Sequence, residues 1–339
     1  MKILVTGSAG FIGGYLVEEL LQAGHEVVGL DNFSKYGPLQ QSSRQHSNYR
    51  FVQGDAKDVK LLTELLSDAD QLVAGAARIG GISYFHEFAY DLLAENERIT
   101  AAAFDAAIAA FQKGRLKKIN VISSSMVYEN VAVWPSPEGS QRSAPPPSST
   151  YGFQKLATEY YAQGAWEQYK LPFTIIRPFN CVGIGERRAL CEREIMSGNV
   201  QLAMSHVVPD LIQKVLKGQD PLHILGDGHQ VRHYTYGADL ARGIRVCIEH
   251  PAAVNEDFNI STAASTSVLE LAEAIWKEIK PGVPFRYISD KAYPYDVQKR
   301  VPDVAKAKRM LGFMATTTLD EMLDTVIPWV KQQVEYGNI

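Results

Sequence analysis

Along the first half of the chain, short continuous apolar runs alternate with longer stretches whose apolar residues recur every three or four positions. The runs Ile3–Thr6, Glu26–Leu30, Tyr49–Val52, Gln71–Ala74, Lys118–Ser123 and Phe173–Arg177 read as strands. Several are hydrophobic throughout rather than at alternate positions, which suits strands buried on both faces. Between them, Phe11–Gln22, Val59–Leu66, Glu87–Phe111 and Tyr151–Tyr169 carry apolar residues at helical spacing. Alternation of this kind predicts an α/β fold, a parallel sheet doubly wound by helices on its two faces.

After residue 178 the regularity fails. Gly183-Ile-Gly185 and Gly226-Asp-Gly228 punctuate shorter elements, and helices are expected over Val207–Lys217, Ala238–His250, Val268–Glu278 and Leu319–Val334. The stretch Trp134–Ser149 holds five prolines and is expected to be a surface loop, because proline cannot continue a helix. The expected organisation is a sheet domain over 1–178, with 238–262 returning to it, and a smaller C-terminal α/β substrate lobe over 179–339.

Composition narrows the classes. The chain has 339 residues, is 46% hydrophobic and 21% charged, and carries a formal net charge of −4. That balance excludes a disordered chain and argues against nucleic acid or an anionic membrane as partner. The three cysteines, Cys181, Cys191 and Cys247, form no paired spacing. Neither a disulfide framework nor a zinc site is expected. His206, His223, His229 and His233 match no ligand spacing, so no metal is expected. No apolar run reaches the ~18 residues of a membrane span. No leader pattern precedes Ile3-Leu-Val5, and the expected location is the cytoplasm.

The chemistry begins where the first strand runs into Gly7-Ser-Ala-Gly10-Phe-Ile-Gly13, which opens the first helix. Glycines at such a turn let the backbone approach a pyrophosphate, and the helix N-terminus offers free N–H groups and a positive dipole end. Asp31 stands eighteen residues past Gly13, at the end of the second strand. A carboxylate there hydrogen-bonds ribose hydroxyls and repels a 2′-phosphate, which points to NAD in a Rossmann-type site.

Tyr151 and Lys155 lie four apart at the start of a predicted helix, on one face. A phenol with its usual pKa near ~10 is a poor base at neutral pH. A nearby ammonium is expected to lower that value, so that Tyr151 takes a proton from a substrate hydroxyl. The fifth strand ends in Ser123-Ser-Ser-Met-Val-Tyr128, at the edge where a doubly wound sheet places its ligand.

Together with Thr6-Gly7, Asp31-Asn32, Gly54-Asp55, Arg177-Pro-Phe-Asn180, Pro209-Asp-Leu211, Gly226-Asp-Gly228, Arg232 and Asp303-Val-Ala-Lys306, these residues resemble the extended short-chain dehydrogenase/reductase superfamily. The likeness is to its nucleotide-sugar epimerase/dehydratase branch, and it spans almost the whole chain. The resemblance implies Ser124, Tyr151 and Lys155 as the catalytic set. It implies tightly bound NAD held by Gly7, Gly10, Phe11, Ile12, Asp31, Asn32, Ser34, Lys35, Asp55, Ala56, Gly75, Ala76, Ala77, Asn96, Ser123, Tyr151, Lys155 and Phe179. For the nucleotide sugar it implies Ser124, Ser125, Met126, Tyr151, Asn180, Arg187, His206, Val207 and Arg232. It also implies a homodimer formed by the Glu87–Phe111 helix and the helix carrying Tyr151.

Members similar to this chain oxidise the sugar at C4 and then diverge. The family's 4,6-dehydratases place an Asp-Glu pair after the active-site Ser/Thr, where this chain has Ser125 and Met126. The expected reaction is therefore C4 epimerisation through a transient 4-keto sugar. The expected substrate is a UDP-hexose or UDP-hexuronic acid, meaning the glucose/galactose or glucuronate/galacturonate pair. Two alternatives stay open: a UDP-glucuronate decarboxylase or another NAD-dependent dehydratase, and a silent NAD-sensing scaffold. Arg78, Arg187 and Arg188 are candidates to clamp a substrate carboxylate, and the aromatic loop from Ile79 to His86 is expected to shape the sugar pocket. The family's diphosphate arginine is replaced by Ala292, with Lys291 and Arg300 as stand-ins.

Overall fold

The computed structural model describes residues 1–38, 41–80, 87–187, 189–190, 195–202, 206–292 and 297–339. Arg188, Cys191 and most of the aromatic loop lie outside the described residues. Six strands form in the expected places: β1 (Lys2–Thr6), β2 (Glu26–Asp31), β3 (Tyr49–Gln53), β4 (Gln71–Ala74), β5 (Lys118–Ile122) and β6 (Phe173–Pro178). A seventh strand, Glu256–Ile260, pairs in parallel with β6, from Glu256 opposite Thr174 to Ile260 opposite Pro178. The spatial order is Glu256–Ile260, β6, β5, β4, β1, β2, β3. Chain direction across the sheet reverses between β1 and β4, the place where such sheets open a crevice.

The unbroken apolar character of the strands follows from their position. On one face Leu4, Val28, Leu72, Val121 and Ile175 pack with Leu62, Ala106 and Ala162. On the other, Ile3, Val5, Val27, Val73 and Ile176 pack with Leu16, Leu20, Leu240 and Ile244. Side chains alternate across a strand with period two, so a strand covered on both faces is apolar at every position. Ile3, Leu4 and Val5 are almost fully buried, and each such side chain contributes roughly 1.5–3 kcal/mol by burial. The alanines of the long helix Ala89–Gln112 (Ala102, Ala103, Ala106, Ala107 and Ala110) are buried within the chain.

Beyond β6 a third core gathers Leu211, Ile212, Leu271, Ile275, Trp276, Val326 and Val330 from the helices Val207–Leu216, Val268–Ile279 and Leu319–Glu335. Two differences from expectation stand out. A helix over Ala305–Leu311 forms where only a motif was visible. The proline-rich stretch Trp134–Ser149 contains a 3-10 turn, Ser140–Arg142, and buries Ser136 and Gln141, so it is less superficial than its composition suggests. No helix among the described residues is long and apolar enough to cross a membrane.

Candidate active site

A cavity of about 1200 Å³ opens at the carboxyl ends of the strands. That exceeds the ~300–1,000 Å³ of a single small-molecule site and suits two ligands side by side. At one end the wall is main chain. Gly7 turns the chain out of β1 with φ of +75°, in the left-handed region that glycine tolerates. A Cβ at Gly13 would lie 2.0 Å from the Gly7 carbonyl oxygen, so the first helix, Phe11–Gln22, approaches this turn only because residue 13 has no side chain. Thr6 Oγ1 accepts from the N–H groups of Gly75 and Ala76, both at 3.1 Å, locking the ends of β1 and β4 together.

Asp31 closes the same end. Its carboxylate accepts from Ala9 N at 3.0 Å and from Phe33 N at 2.8 Å, which ties β2 to the glycine turn. Gly7, Gly10, Phe11, Ile12, Asp31, Asn32, Ser34, Lys35, Asp55, Ala56, Gly75, Ala76 and Ala77 all line the cavity. This cradle, with its free helix N-terminus and its carboxylate at the β2 end, suits a dinucleotide's pyrophosphate and ribose.

The other end is made of side chains. Ser149 caps the helix Thr150–Tyr169 by accepting from Gly152 N at 3.0 Å, and donates its hydroxyl to Glu129 at 2.7 Å. That cap sets Tyr151 and Lys155 into the cavity, where Ser124 meets them. Ser124 hydrogen-bonds Tyr151 and accepts from Met126 N at 3.2 Å. Lys155 Nζ lies 5.9 Å from the centre of the Tyr151 ring and donates to the Ile122 carbonyl at 3.0 Å.

The electrostatics differ from expectation. Burial raises the Tyr151 phenol above its ordinary value, and the hydrogen bond from Ser124 and the charge of Arg300 only partly offset it. Burial also pushes Lys155 down to about 8, with Glu159 opposing the fall. The lysine thus spends its ammonium on a carbonyl and is itself half-discharged in weakly alkaline solution. A lowered tyrosine pKa is therefore not a property of the polypeptide alone.

On the sugar-facing side, Ser125, Met126, Asn180, His206, Val207 and Arg232 line the cavity, as does Arg78. Arg232 donates to the carbonyls of Val231 and Gln298 at 3.0 and 3.4 Å, which holds its guanidinium at the wall. His206 pairs with the buried Glu186.

Four expected site residues sit differently from the rest. Arg187 is exposed and does not line the cavity, because the chain after Gly185 turns Glu186 inward instead. Phe179 is buried against Tyr128, ring centres 6.1 Å apart, and faces the core. Asn96 exchanges two hydrogen bonds with the Arg78 backbone, at 2.7 and 2.9 Å, and so supports the wall without lining the main cavity. Ser123 touches the cavity but commits its hydroxyl to Glu159 at 2.6 Å.

The structure also adds residues. Tyr234 is 4% exposed, lines the cavity and feels the charges of Arg232 and Arg300. Its position two past Arg232 was the available signal. Lys214 and Glu129 line the cavity as well, with no local pattern to announce them. No group of three or more metal-ligating side chains occurs among the described residues.

With this geometry in hand, the similarities to known proteins are informative. A UDP-glucose 4-epimerase of Thermotoga maritima, solved with UDP-glucose, superposes with a TM-score of 0.82 at 27% identity, covering 98% of this chain and 100% of that one. A UDP-glucuronic acid 4-epimerase of Bacillus cereus, solved with UDP-glucuronic acid and NAD, gives 0.81 at 28% identity, covering 98% and 99%. A UDP-N-acetyl-alpha-D-glucosaminuronate decarboxylase of Bacillus cytotoxicus is 29% identical over 342 residues, 98% of each chain. NAD is the cofactor, and the glycine cradle with Asp31 fits it. Residues 3–261 match the sequence model described as the NAD dependent epimerase/dehydratase family, and the chain belongs to that family.

Proposed function

We propose that this protein is a nucleotide-sugar 4-epimerase acting on a UDP-hexose or a UDP-hexuronic acid. The observation that carries the reading is the meeting of Ser124, Tyr151 and Lys155 at the side-chain end of the cavity, with Ser125 and Met126 following the serine. Neither of those two can eliminate water by acid–base chemistry, and a dehydratase would need that. Epimerisation needs only removal and return of one proton and one hydride at C4.

When bound, NAD would supply the hydride acceptor and donor together with a positive charge. Tyr151 takes the proton of the C4 hydroxyl and returns it, and Ser124 bridges the two oxygens. Lys155, as an ammonium, favours the phenolate. Arg232 is placed for the diphosphate of the substrate, where its planar fork matches phosphate oxygens. Arg78, at the cavity wall, is a candidate for a sugar carboxylate.

The test is incubation of the purified protein with UDP-glucose, UDP-galactose, UDP-glucuronate and UDP-galacturonate, with NMR detection of the C4 epimer. Release of CO2 from UDP-glucuronate would replace the reading with decarboxylation. No turnover of any of the four would refute both.

We further propose a sheet domain over 1–178 to which 238–262 returns, a substrate lobe made mainly of the rest of 179–339, and a homodimer through the helices Ala89–Gln112 and Thr150–Tyr169. The second helix exposes Phe153, Tyr160 and Tyr161 along one side, a row of apolar area that a second copy would cover. Light scattering that finds a monomer would end the dimer proposal. Cys181 and Cys247 are free thiols, which suits the reducing cytoplasm.

A further inference from the structure

Beneath the side-chain end of the cavity lies a buried polar cluster that the chemistry above does not use. Glu159 and Arg177 are 1% and 0% exposed. They meet at two points, Nε to Oε1 at 2.7 Å and Nη2 to Oε2 at 2.8 Å. Ser123 donates to Oε1 at 2.6 Å and Gln141 to Oε2 at 3.1 Å, so four donors converge on one carboxylate. Arg177 also donates from Nη1 to Tyr128 Oη at 3.0 Å and pairs with Asp257 at 2.8 Å. Tyr128 donates onward to Asn259 at 2.8 Å.

Four members of this cluster lie close to site residues along the chain. Ser123 precedes Ser124, Glu159 sits one helical turn past Lys155, and Tyr128 ends the 3-10 turn that Ser124 caps. Arg177 lies three residues before Asn180. The two anchors of the helix Thr150–Tyr169 are also consecutive, since Lys155 bonds the Ile122 carbonyl and Glu159 bonds the Ser123 hydroxyl. Successive helical turns are thus pinned to successive residues at the end of β5.

We propose that the Glu159–Arg177 pair is a positioning element of the active site, seating this helix against the ends of β5 and β6 so that Lys155 and Ser124 reach the substrate oxygen together. The proposal rests on the epimerase reading. A buried ion pair is a weak source of stability beside apolar side chains of equal volume, but its two-point geometry admits one placement of strand and helix.

The pair also acts through charge. Glu159 is the group that opposes the burial-driven fall of Lys155. Tyr151 shares its helix and the cavity wall with this lysine, and Tyr128, Arg177 and Asp257 belong to the charged cluster that meets Glu159. Glu159 is the carboxylate whose charge acts on the lysine.

Glu159→Gln in the NAD-loaded protein keeps an acceptor for Ser123 and removes the charge. Expected is a fall in kcat of about 10²-fold, the scale of a small misplacement of reacting groups. KM for the UDP-sugar should stay within about threefold, since the lost interaction does not touch the ground-state substrate. The alkaline limb of the kcat profile should move to lower pH, a shift that loss of structural support alone would not cause. Wild-type kcat and an unmoved limb in a folded Glu159→Gln protein would overturn the proposal.

If that variant does not fold, Ser123→Ala removes one anchor without a charge, and unchanged kcat there overturns it equally. Should wild type turn over none of the sugars, the epimerase reading fails but the positioning does not depend on turnover for its readout. Titration of Lys155 followed by lysine-selective NMR, assigned with Lys155→Met, should then move to lower pH in Glu159→Gln, and an unshifted titration would refute the proposal.

Discussion

At the glycine end of the cavity the surface that meets a ligand is mostly backbone, whereas at the tyrosine end it is side chains standing on a buried ionic cluster. The first end is assembled by contacts that forbid side chains: Gly7 at positive φ, Gly13 against the Gly7 carbonyl and Gly75 close to Thr6. The second is assembled by hydrogen bonds between side chains from β5, β6, the tyrosine helix and the seventh strand. Backbone cradles recognise shape and charge common to all dinucleotides. Side-chain constellations tune proton affinity, and here that tuning works through burial.

Three perturbations would separate the two ends. Tyr151→Phe removes the proton acceptor and should lower turnover by about 10³-fold, within the usual range for a general base, while NAD affinity stays near wild type by fluorescence titration. Retained turnover would show that the tyrosine end does not do the chemistry. Gly13→Ala should do the reverse. Overpacking of about 1–3 kcal/mol at this contact corresponds to a loss of up to roughly 10²-fold in NAD affinity, with the catalytic cluster intact. Unaltered NAD binding would mean that the helix can shift away from the Gly7 carbonyl without consequence.

The smallest effect comes from pH. Lys155 has its folded value lowered to about 8 by burial, so its ammonium is present below that pH and lost above it. Because the ammonium is the form that favours the phenolate, turnover should decline as pH rises through about 8, and NAD binding should not follow. A kcat profile flat to pH 10 would remove Lys155 from the charge argument.

The glycine end was readable from the chain because its signals are local. Gly7, Gly10 and Gly13 fall within seven residues, and Asp31 stands at the close of the next strand. Several of the six strands were readable for a related reason, since burial on both faces leaves an unbroken apolar run. The tyrosine end was half-readable. Tyr151 and Lys155 share a helix, but the cluster that supports them pairs Tyr128 with Asn259, 131 residues away, and no periodicity encodes that. The packing of Ser123 and Phe179 was hidden for the same reason: next in sequence to cavity-lining residues, their side chains meet partners from distant segments. The exposure of Arg187 was not legible because its charge was visible and the inward turn of Glu186 was not.

The seventh strand has a consequence for how the chain is made. Because Glu256–Ile260 covers the outer edge of β6, and Lys118 is tied to the carbonyls of Cys247 and Ile248, the sheet is incomplete until about residue 260 has left the ribosome. Until then β6 presents an open row of backbone donors and acceptors, the kind of edge that invites pairing with another chain. The segment from β6 to Glu256, which includes much of the wall of the sugar site, is synthesised within that interval. Cotranslational folding of this protein is thus closed by a late strand, and a nascent chain halted before it would be the species most exposed to aggregation.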